Sequence, residues 1–389
     1  MIAYKEIAQI KNVKGVNPIT GDYSYEENGR GYLCIDGVLL EKEEPALDIV
    51  SVGEYVYVWY GCGRFELYSG HTLLKVFEKK VFLLDGNIGG YIGYHIRDPK
   101  TFEASENILS ISDGQPLLAQ NVPYSLYKVG EEVIGYKIFE YKLSRLNYSG
   151  EVLWTFDLPL CESSCDEPDA YDNHDKLDKV LGIAQGLLWI CTRWYRLIAL
   201  DLETGKPVHQ FSGGWFDEDH SNYIVLDSLG WCFFREAEKT IVLISNFGVQ
   251  ILDATTAKII EGYSFSEVDP QGIGAFEYFD AARLYGDCLT FIAQRHREAH
   301  GYRCAGIFDL KARRFSWIGD IISLEEKMST GNHLLAQFPL QMEGNRLYIK
   351  DAENTLHIYR KEWRLKAQVR PQSEATASAA CATAPSVGR

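Results

Sequence analysis

Short apolar runs separated by polar turns make up most of this chain, and residues 186–211 show the pattern most clearly. The segments 187–191 (LLWIC), 197–202 (LIALDL) and 208–211 (VHQF) are rich in strand-forming residues. The polar segment 203–206 (ETGK) lies between the last two, and its Gly205 can adopt the positive φ that a tight turn requires. We therefore predict an antiparallel unit. One such unit cannot bury both of its faces alone, so several copies must pack side by side.

Pieces of this unit recur along the chain. The turn DLETGK at 201–206 matches DATTAK at 253–258, and more loosely DLKARR at 309–314 and NYSGE at 147–151. Landmarks at Asp98, Asn147, Asp201, Asp253, Asp309 and His357 are separated by 49, 54, 52, 56 and 48 residues. A period of about 50 with three or four strands is typical of β-propellers. We predict an all-β propeller of four-stranded antiparallel blades; seven blades fit the length best, and six or eight also fit.

The repeat resembles that of the pyrroloquinoline-quinone-like (PQQ-like) and WD40-like β-propellers. The residues that match the motif are Ala199, Asp201, Thr204, Gly205 and Lys206. The copy at 253 has Ala257 in place of the glycine, and Phe211 lies near the position where the family's repeat usually ends in tryptophan. Enzymes of that family bind the quinone with calcium on the propeller axis beside a vicinal cysteine pair, which this sequence lacks. The resemblance therefore implies a non-enzymatic binding module with degenerate repeats.

The sequence divides into one long globular part and a short tail. We predict a single propeller domain over 1–365, in which an N-terminal strand can complete the last blade and close the ring. Residues 366–389 are rich in Ala, Ser and Thr and contain no large apolar side chain, so we expect them to be disordered.

The composition narrows the class of function. The formal net charge is −15, and no cluster of Lys and Arg is long enough to follow a phosphate backbone, so we predict no nucleic-acid partner. No apolar segment approaches the length of a membrane span, and the start has no secretory pattern. Nine scattered cysteines suit a reducing cytoplasm better than a disulfide framework. The acidity favours a basic partner, although it can equally serve solubility alone.

Two acidic segments between blades are the best candidates for a partner-binding surface. The first supplies Asp166, Glu167, Asp169, Asp172 and Asp175, and the second supplies Trp215, Phe216, Asp217, Glu218 and Asp219. Aromatic side chains provide the anchors at many protein interfaces, and acidic groups attract basic partners. Cys161, Cys165 and His174 form an incomplete zinc set, and the acidic run lacks the order of a calcium loop. We interpret the pair His296 and His300 as part of a hairpin turn.

No catalytic residue, metal site or cofactor is predicted, because no nucleophile elbow, phosphate-binding loop or complete ligand set occurs. The sequence predicts a cytoplasmic propeller that binds a basic protein through an acidic face bearing aromatic residues, as an immunity or antitoxin-like protein would hold a basic toxin. The alternative is an enzyme or ligand-binding propeller with a metal or a small molecule in the axial funnel.

Overall fold

The computed structural model describes residues 3–17, 20–52, 54–61, 64–77, 81–82, 91–97, 104–110, 115–160, 175–193, 196–212, 231–296, 301–323, 325 and 341–362. Within these residues the strands group into eight antiparallel sheets, which we call blades 1 to 8. None of the helices in this part of the chain has the length and apolar character needed to cross a membrane.

The first strand of the chain, β1 (Ala3–Ile10), belongs to the last blade. Blade 1 contains β2 (Val13–Val16), β3 (Tyr23–Glu27), β4 (Arg30–Ile35) and β5 (Val38–Lys42). Blade 2 contains β6 (Ala46–Val52), β7 (Tyr55–Tyr60), β8 (Phe65–Ser69) and β9 (Thr72–Phe77). Blade 3 contains β10 (Val81–Phe82), β11 (Tyr91–Arg97) and β12 (Ala104–Ser110). Blade 4 contains β13 (Ser125–Val129), β14 (Glu132–Lys137), β15 (Lys142–Leu146) and β16 (Val152–Asp157).

The second half of the chain continues the same order. Blade 5 contains β17 (Leu177–Ala184), β18 (Leu187–Thr192), β19 (Arg196–Asp201) and β20 (Pro207–Ser212). Blade 6 contains β21 (Cys232–Arg235), β22 (Thr240–Ile244), β23 (Gly248–Asp253) and β24 (Lys258–Ser264), and is followed by α1 (Phe265–Val268) and α2 (Pro270–Ile273). Blade 7 contains β25 (Phe276–Tyr285), β26 (Cys288–Arg295), β27 (Cys304–Asp309) and β28 (Arg314–Asp320). Blade 8 contains β29 (Gln341–Glu343), β30 (Arg346–Lys350), β31 (Leu356–Glu362) and β1.

The blades form a closed ring. Eight hydrophobic clusters lie in the described chain, and each is built from two consecutive blades. The eighth joins Tyr348 and Ile358 of blade 8 to Val13 of blade 1. Strand β1 pairs with β31, so the N-terminal strand serves as the fourth strand of the last blade. Closure of this kind leaves no blade without a neighbour on either face.

The four-strand order gives the ring two different faces. The closest approaches between blades are mostly those of first strands, such as β13 with β17 and β17 with β21, so the first strands lie innermost. In each blade the turn from the second to the third strand and the link to the next blade lie at one end of the sheet; we call this end the linker face. The other two turns lie at the opposite end, which we call the hairpin face.

The repeated turn predicted from the sequence occurs in four blades, in two lengths. The residue with positive φ lies four residues after the opening aspartate at Gly205, Ala257 and Arg313, and three residues after Asn147 at Gly150; all four have φ between 49° and 84°. The aspartate that opens the turn accepts hydrogen bonds from the backbone: Asp201 Oδ1 binds the N–H of Thr204 at 2.8 Å, and Asp253 Oδ1 binds that of Thr255 at 2.7 Å. The turn therefore persists where glycine is replaced, because the aspartate fixes its first half.

The described chain contains eight sheets, whereas seven blades fitted the sequence best and eight was one of the two alternatives. The difference arises before residue 81, where blades 1 and 2 are compact units over 13–42 and 46–77 rather than a single repeat. Blade 1 is built from two hairpins at Asn28-Gly29 and Asp36-Gly37, with positive φ at all four residues. The first and last landmarks were also not equivalent to the others. Asp98 lies outside the described residues, and His357 lies within a third strand.

A β-bulge interrupts the outermost strand of most blades. Seven fourth strands are described, and in six of them one extra residue separates the pairs made with the third strand. These extra residues are Ile7, Leu74, Leu153, Val208, Ile260 and Ser316. A bulge bends and twists a strand, which hinders pairing of its free edge with another chain. Strand β5 pairs with β4 without interruption.

Candidate functional site

Nine of the ten predicted partner-binding residues cannot be placed. Asp166, Glu167, Asp169, Asp172, Trp215, Phe216, Asp217, Glu218 and Asp219 lie outside the described residues, as do Cys161, Cys165 and His174. The residues that flank these segments, Leu160 and Trp231, lie in links between blades and therefore belong to the linker face.

Asp175 is placed, and it is wrong as an exposed binding residue. It has no exposed surface, its N–H donates to the carbonyl of Pro159 at 3.0 Å, and its Oδ1 accepts from the N–H of Lys176 at 2.8 Å. The carboxylate therefore organises the entry into blade 5. A partner at the linker face would not meet its charge.

The linker face carries most of the exposed aromatic surface of the described chain. Trp59, Phe139 and Phe247 lie beside or within turns between second and third strands, and Phe139 is 93% exposed. Leu47, Ile138 and Leu160 add exposed aliphatic surface at the same end of the blades. Exposed Tyr148, by contrast, lies in a turn of the hairpin face. Exposed aromatic side chains on one face are typical of surfaces that bind another protein; here they lie on separate blades, Trp59 on blade 2, Phe139 on blade 4 and Phe247 on blade 6.

The turn that presents Phe139 is held at both ends. Lys137 Nζ donates to Glu140 Oε1 at 2.8 Å, and the N–H of Glu140 donates to the carbonyl of Lys137 at 3.2 Å. Beyond the turn, the carbonyl of Tyr141 accepts from the N–H of Leu158 at 2.9 Å. An aromatic ring on a fixed turn loses little conformational entropy when it is covered, so Phe139 is suited to anchor a partner.

A second possible site lies on the inner strands of blades 5, 6 and 7. Inner strands β17, β21 and β25 and their turns at the hairpin face line a cavity of about 730 Å³. Its wall contains Lys179, Arg235, Arg283 and Asp287 together with Phe233, and Arg235 Nη2 lies 3.2 Å from Asp287 Oδ1. Charges of both signs beside an aromatic ring could hold a small polar molecule. No group of three or more potential metal-ligating side chains comes together in the described part of the chain.

A fully buried carboxylate, Glu66, links blades 1 and 2 beside the β7–β8 turn of the linker face. The side chain of Glu66 is fully buried and accepts from Lys42 at 3.1 Å and from Tyr60 at 2.8 Å, and it also binds Tyr68 and Arg64. Burial opposes ionisation of Glu66, but these hydrogen bonds outweigh it and hold its pKa below the ordinary value. The cluster therefore joins two blades.

A histidine links the first and the last described strands, β1 and β31. His357 in β31 lies 2.8 Å from Glu6 of β1 through Nδ1, and 3.2 Å from Asp351 through Nε2. Burial disfavours the charged imidazole, but the two carboxylates outweigh it and raise the pKa of His357 above 6.5. The sequence used His357 only as a spacing landmark, because its carboxylate partners lie up to 351 residues away.

Comparisons with known proteins support the fold. The C-terminal WD40 domain of Sif2 is 12% identical, with 92% of this chain and 98% of that chain covered and a TM-score of 0.56. Sqt1 from Saccharomyces cerevisiae is 9% identical, with 92% of this chain and 98% of that chain covered and a TM-score of 0.50. BamB from Moraxella catarrhalis is 12% identical, covering 92% of this chain and 100% of that chain, but with a TM-score of 0.43 the similarity supports no argument.

No protein-family model matches the chain, and no curated protein sequence matches it either. The all-β propeller fold with four-stranded antiparallel blades is confirmed. The finer resemblance to PQQ-like repeats stays a prediction.

Proposed function

We propose that this protein is a binding scaffold that holds a partner protein on its linker face. The observation that carries the proposal is the nearly complete exposure of Phe139 on a fixed turn, on the same face as Trp59 and Phe247. Burying a fully exposed aromatic ring such as Phe139 contributes about 2 kcal/mol, and further contacts on the linker face are needed to offset the cost of association, about 4–15 kcal/mol.

The partner that suits this protein best is basic. The net charge of −15 favours association with a positively charged surface, and the two acidic segments predicted from the sequence begin and end at the linker face. A cytoplasmic immunity or antitoxin-like protein that neutralises a basic toxin is one specific form of this proposal. Association should then slow steeply as salt concentration rises.

The test starts with affinity capture from an extract of the source cells at low and at high salt, followed by mass spectrometry. Binding of the captured protein is then measured for the double variant Phe139→Ser and Phe247→Ser. The control is Leu153→Ser, which removes an exposed apolar residue from an outer strand. We expect the double variant to weaken binding at least 100-fold, as loss of two anchors of about 1.5 kcal/mol each requires. Unchanged binding by the double variant would contradict the linker face as the site.

The cavity on the inner strands of blades 5, 6 and 7 supports a second candidate function, the binding of a small polar molecule. Its volume is in the range of ordinary ligand sites, and it is lined by charged groups from three blades. Thermal-shift measurements with a panel of amino acids, nucleotides and sugars, together with elemental analysis, test this candidate. A stabilising ligand whose effect disappears in Arg283→Gln would favour it over the scaffold.

A further inference from the structure

Strand β5 differs from the other outermost strands that the structure describes. Six of them contain a bulge, whereas the five residues of β5 pair with β4 in strict register from Ile35↔Val38 to Gly31↔Lys42. The hairpin closes through Asp36 and Gly37 with φ of 51° and 74°, as in the two-residue turns that keep paired strands aligned. The free edge of β5 therefore lacks the bulge that the other six described outermost strands contain.

The register shows which backbone groups this edge presents. In a two-residue hairpin the closing pair exchanges hydrogen bonds, so Val38, Leu40 and Lys42 direct their N–H and C=O groups toward β4. Leu39 and Glu41 consequently direct theirs outward. The side chain of Leu39 is 52% exposed beside them. The edge thus offers two outward residues with their backbone donors and acceptors, next to an uncovered apolar side chain.

The size of the edge decides between a second copy of this chain and a peptide. Pairing of two five-residue strands buries far less than the roughly 1,200 Å² that a stable interface between folded proteins requires. An extended peptide needs no more than such an edge, because main-chain hydrogen bonds supply its affinity and alternate side chains its specificity. The edge therefore fits a flexible segment better than a second folded copy.

The charges around β5 define the chemistry of that segment. Asp36 precedes the strand, Glu41 lies in it, and Glu43 and Glu44 follow it. The cation within the strand, Lys42, is committed to buried Glu66. Arg30 pairs with Glu41 and offsets one negative charge. Basic residues at the ends of an added strand would therefore be favoured.

We propose that β5 binds an extended segment of a partner protein as an added strand, with an apolar side chain beside Leu39 and Lys or Arg near the acidic ends. This surface lies along the outer edge of blade 1, and only its end at Glu43 and Glu44 reaches the linker face. The proposal holds whether or not the linker face binds a protein.

The probe is a capped synthetic peptide, Lys-Thr-Val-Thr-Val-Lys, and hydrogen exchange of the full-length protein is the first measurement. At a peptide concentration 100 times its dissociation constant, hydrogen exchange at the amides of Leu39 and Glu41 should slow by about 100-fold. Exchange at the amide of Leu153 in β16 should not change. No slowing at β5, or equal slowing at β16, would overturn the proposal. Protection of β5 that appears without peptide and grows with protein concentration would do the same, because the occupant would then be a second copy.

Two variants test the backbone pairing directly by fluorescence polarisation with the same peptide. Leu39→Pro removes an outward N–H without removing a bond to β4, and should weaken binding about five-fold or more, the effect of one lost hydrogen bond. Leu39→Thr keeps that N–H and the strand, and should bind more tightly than the proline variant. Circular dichroism confirms that both variants are folded. Equal binding by the two variants would overturn strand addition, and so would tighter binding of the acidic peptide Glu-Thr-Val-Thr-Val-Glu.

Discussion

The buried carboxylate of Glu66 should stabilise the contact between blades 1 and 2 far more than an exposed ion pair does. In Glu66→Gln the side chain keeps its shape and one acceptor oxygen, but Lys42 and Arg64 lose the charge that they face. Removing one partner of a buried pair costs about 3–5 kcal/mol. The side chains of Lys42 and Arg64 are 18% and 42% exposed, so water relieves part of this cost. We expect a loss of about 2–3 kcal/mol at pH 7.

The matched control is Glu41→Gln in the neighbouring blade. Glu41 also pairs with an arginine, Arg30, but the two side chains are 54% and 64% exposed. Exposed pairs contribute less than about 1 kcal/mol, so this variant should change stability by no more than about 0.5 kcal/mol. Urea unfolding followed by tryptophan fluorescence gives the midpoints of both variants. Equal losses in the two variants would show that burial does not set the strength of the Glu66 contacts.

The same comparison has a definite pH dependence. The pKa of Glu66 in the folded protein lies below its ordinary value of 4.5, so its ionisation stabilises the fold fully above pH 4.5. This contribution is lost as the pH falls through the lowered pKa, whereas the glutamine variant does not titrate. The stability difference between the wild type and Glu66→Gln should therefore shrink below pH 4.5. A difference that stays constant down to pH 3 would refute the assignment.

Two further sets of variants test the repeated turn. Gly205→Ala should destabilise the protein by about 2–3 kcal/mol, because φ is 70° and the new Cβ would lie 2.6 Å from the Trp154 ring. Ala257→Gly, at φ 56°, should raise stability by about 0.5 kcal/mol. Urea midpoints that move in the opposite direction would contradict these expectations. Trp189→Phe removes the indole N–H that donates to the carbonyl of Ala254, 2.9 Å away in the next blade, and should lower the free energy of unfolding by about 2 kcal/mol in the same assay. A change under about 0.5 kcal/mol would show that another donor replaces the indole N–H.

The sequence predicted the fold where local chemistry determines it. The Asp201 turn recurs with its own capping hydrogen bonds, so its spacing located blades 4 to 7. Blades 1 and 2 lack that turn, and their tight hairpins were not recognised as separate units. The Asn28-Gly29 and Asp36-Gly37 dipeptides were the available signals, since both favour two-residue hairpins.

The candidate site was harder to predict because exposure depends on where a strand ends. Ile138 and Phe139 continue the run of strand-forming residues in β14, but the strand ends at Lys137 and these two residues form the turn. The strand ends where pairing with β15 ends, and that register is not visible in a single sequence. One partner of Glu66, Lys42, was hidden for a similar reason, because it belongs to a different blade.

Ring closure depends on contacts between the two ends of the chain, and this makes blade 8 the expected site of opening. Strand β1 is held by pairing with β31 and by Glu6 on His357, whereas blades such as blade 5 are continuous in sequence. Protonated His357, whose pKa is raised above 6.5, stabilises the closed ring fully below pH 6.5, and this contribution is lost as the pH rises through the raised pKa. Hydrogen exchange of β1 amides, corrected for intrinsic rates, should therefore accelerate between pH 5.5 and 8.5 relative to blade 5. The acceleration should be absent in His357→Gln; if that variant retains it, another group controls closure.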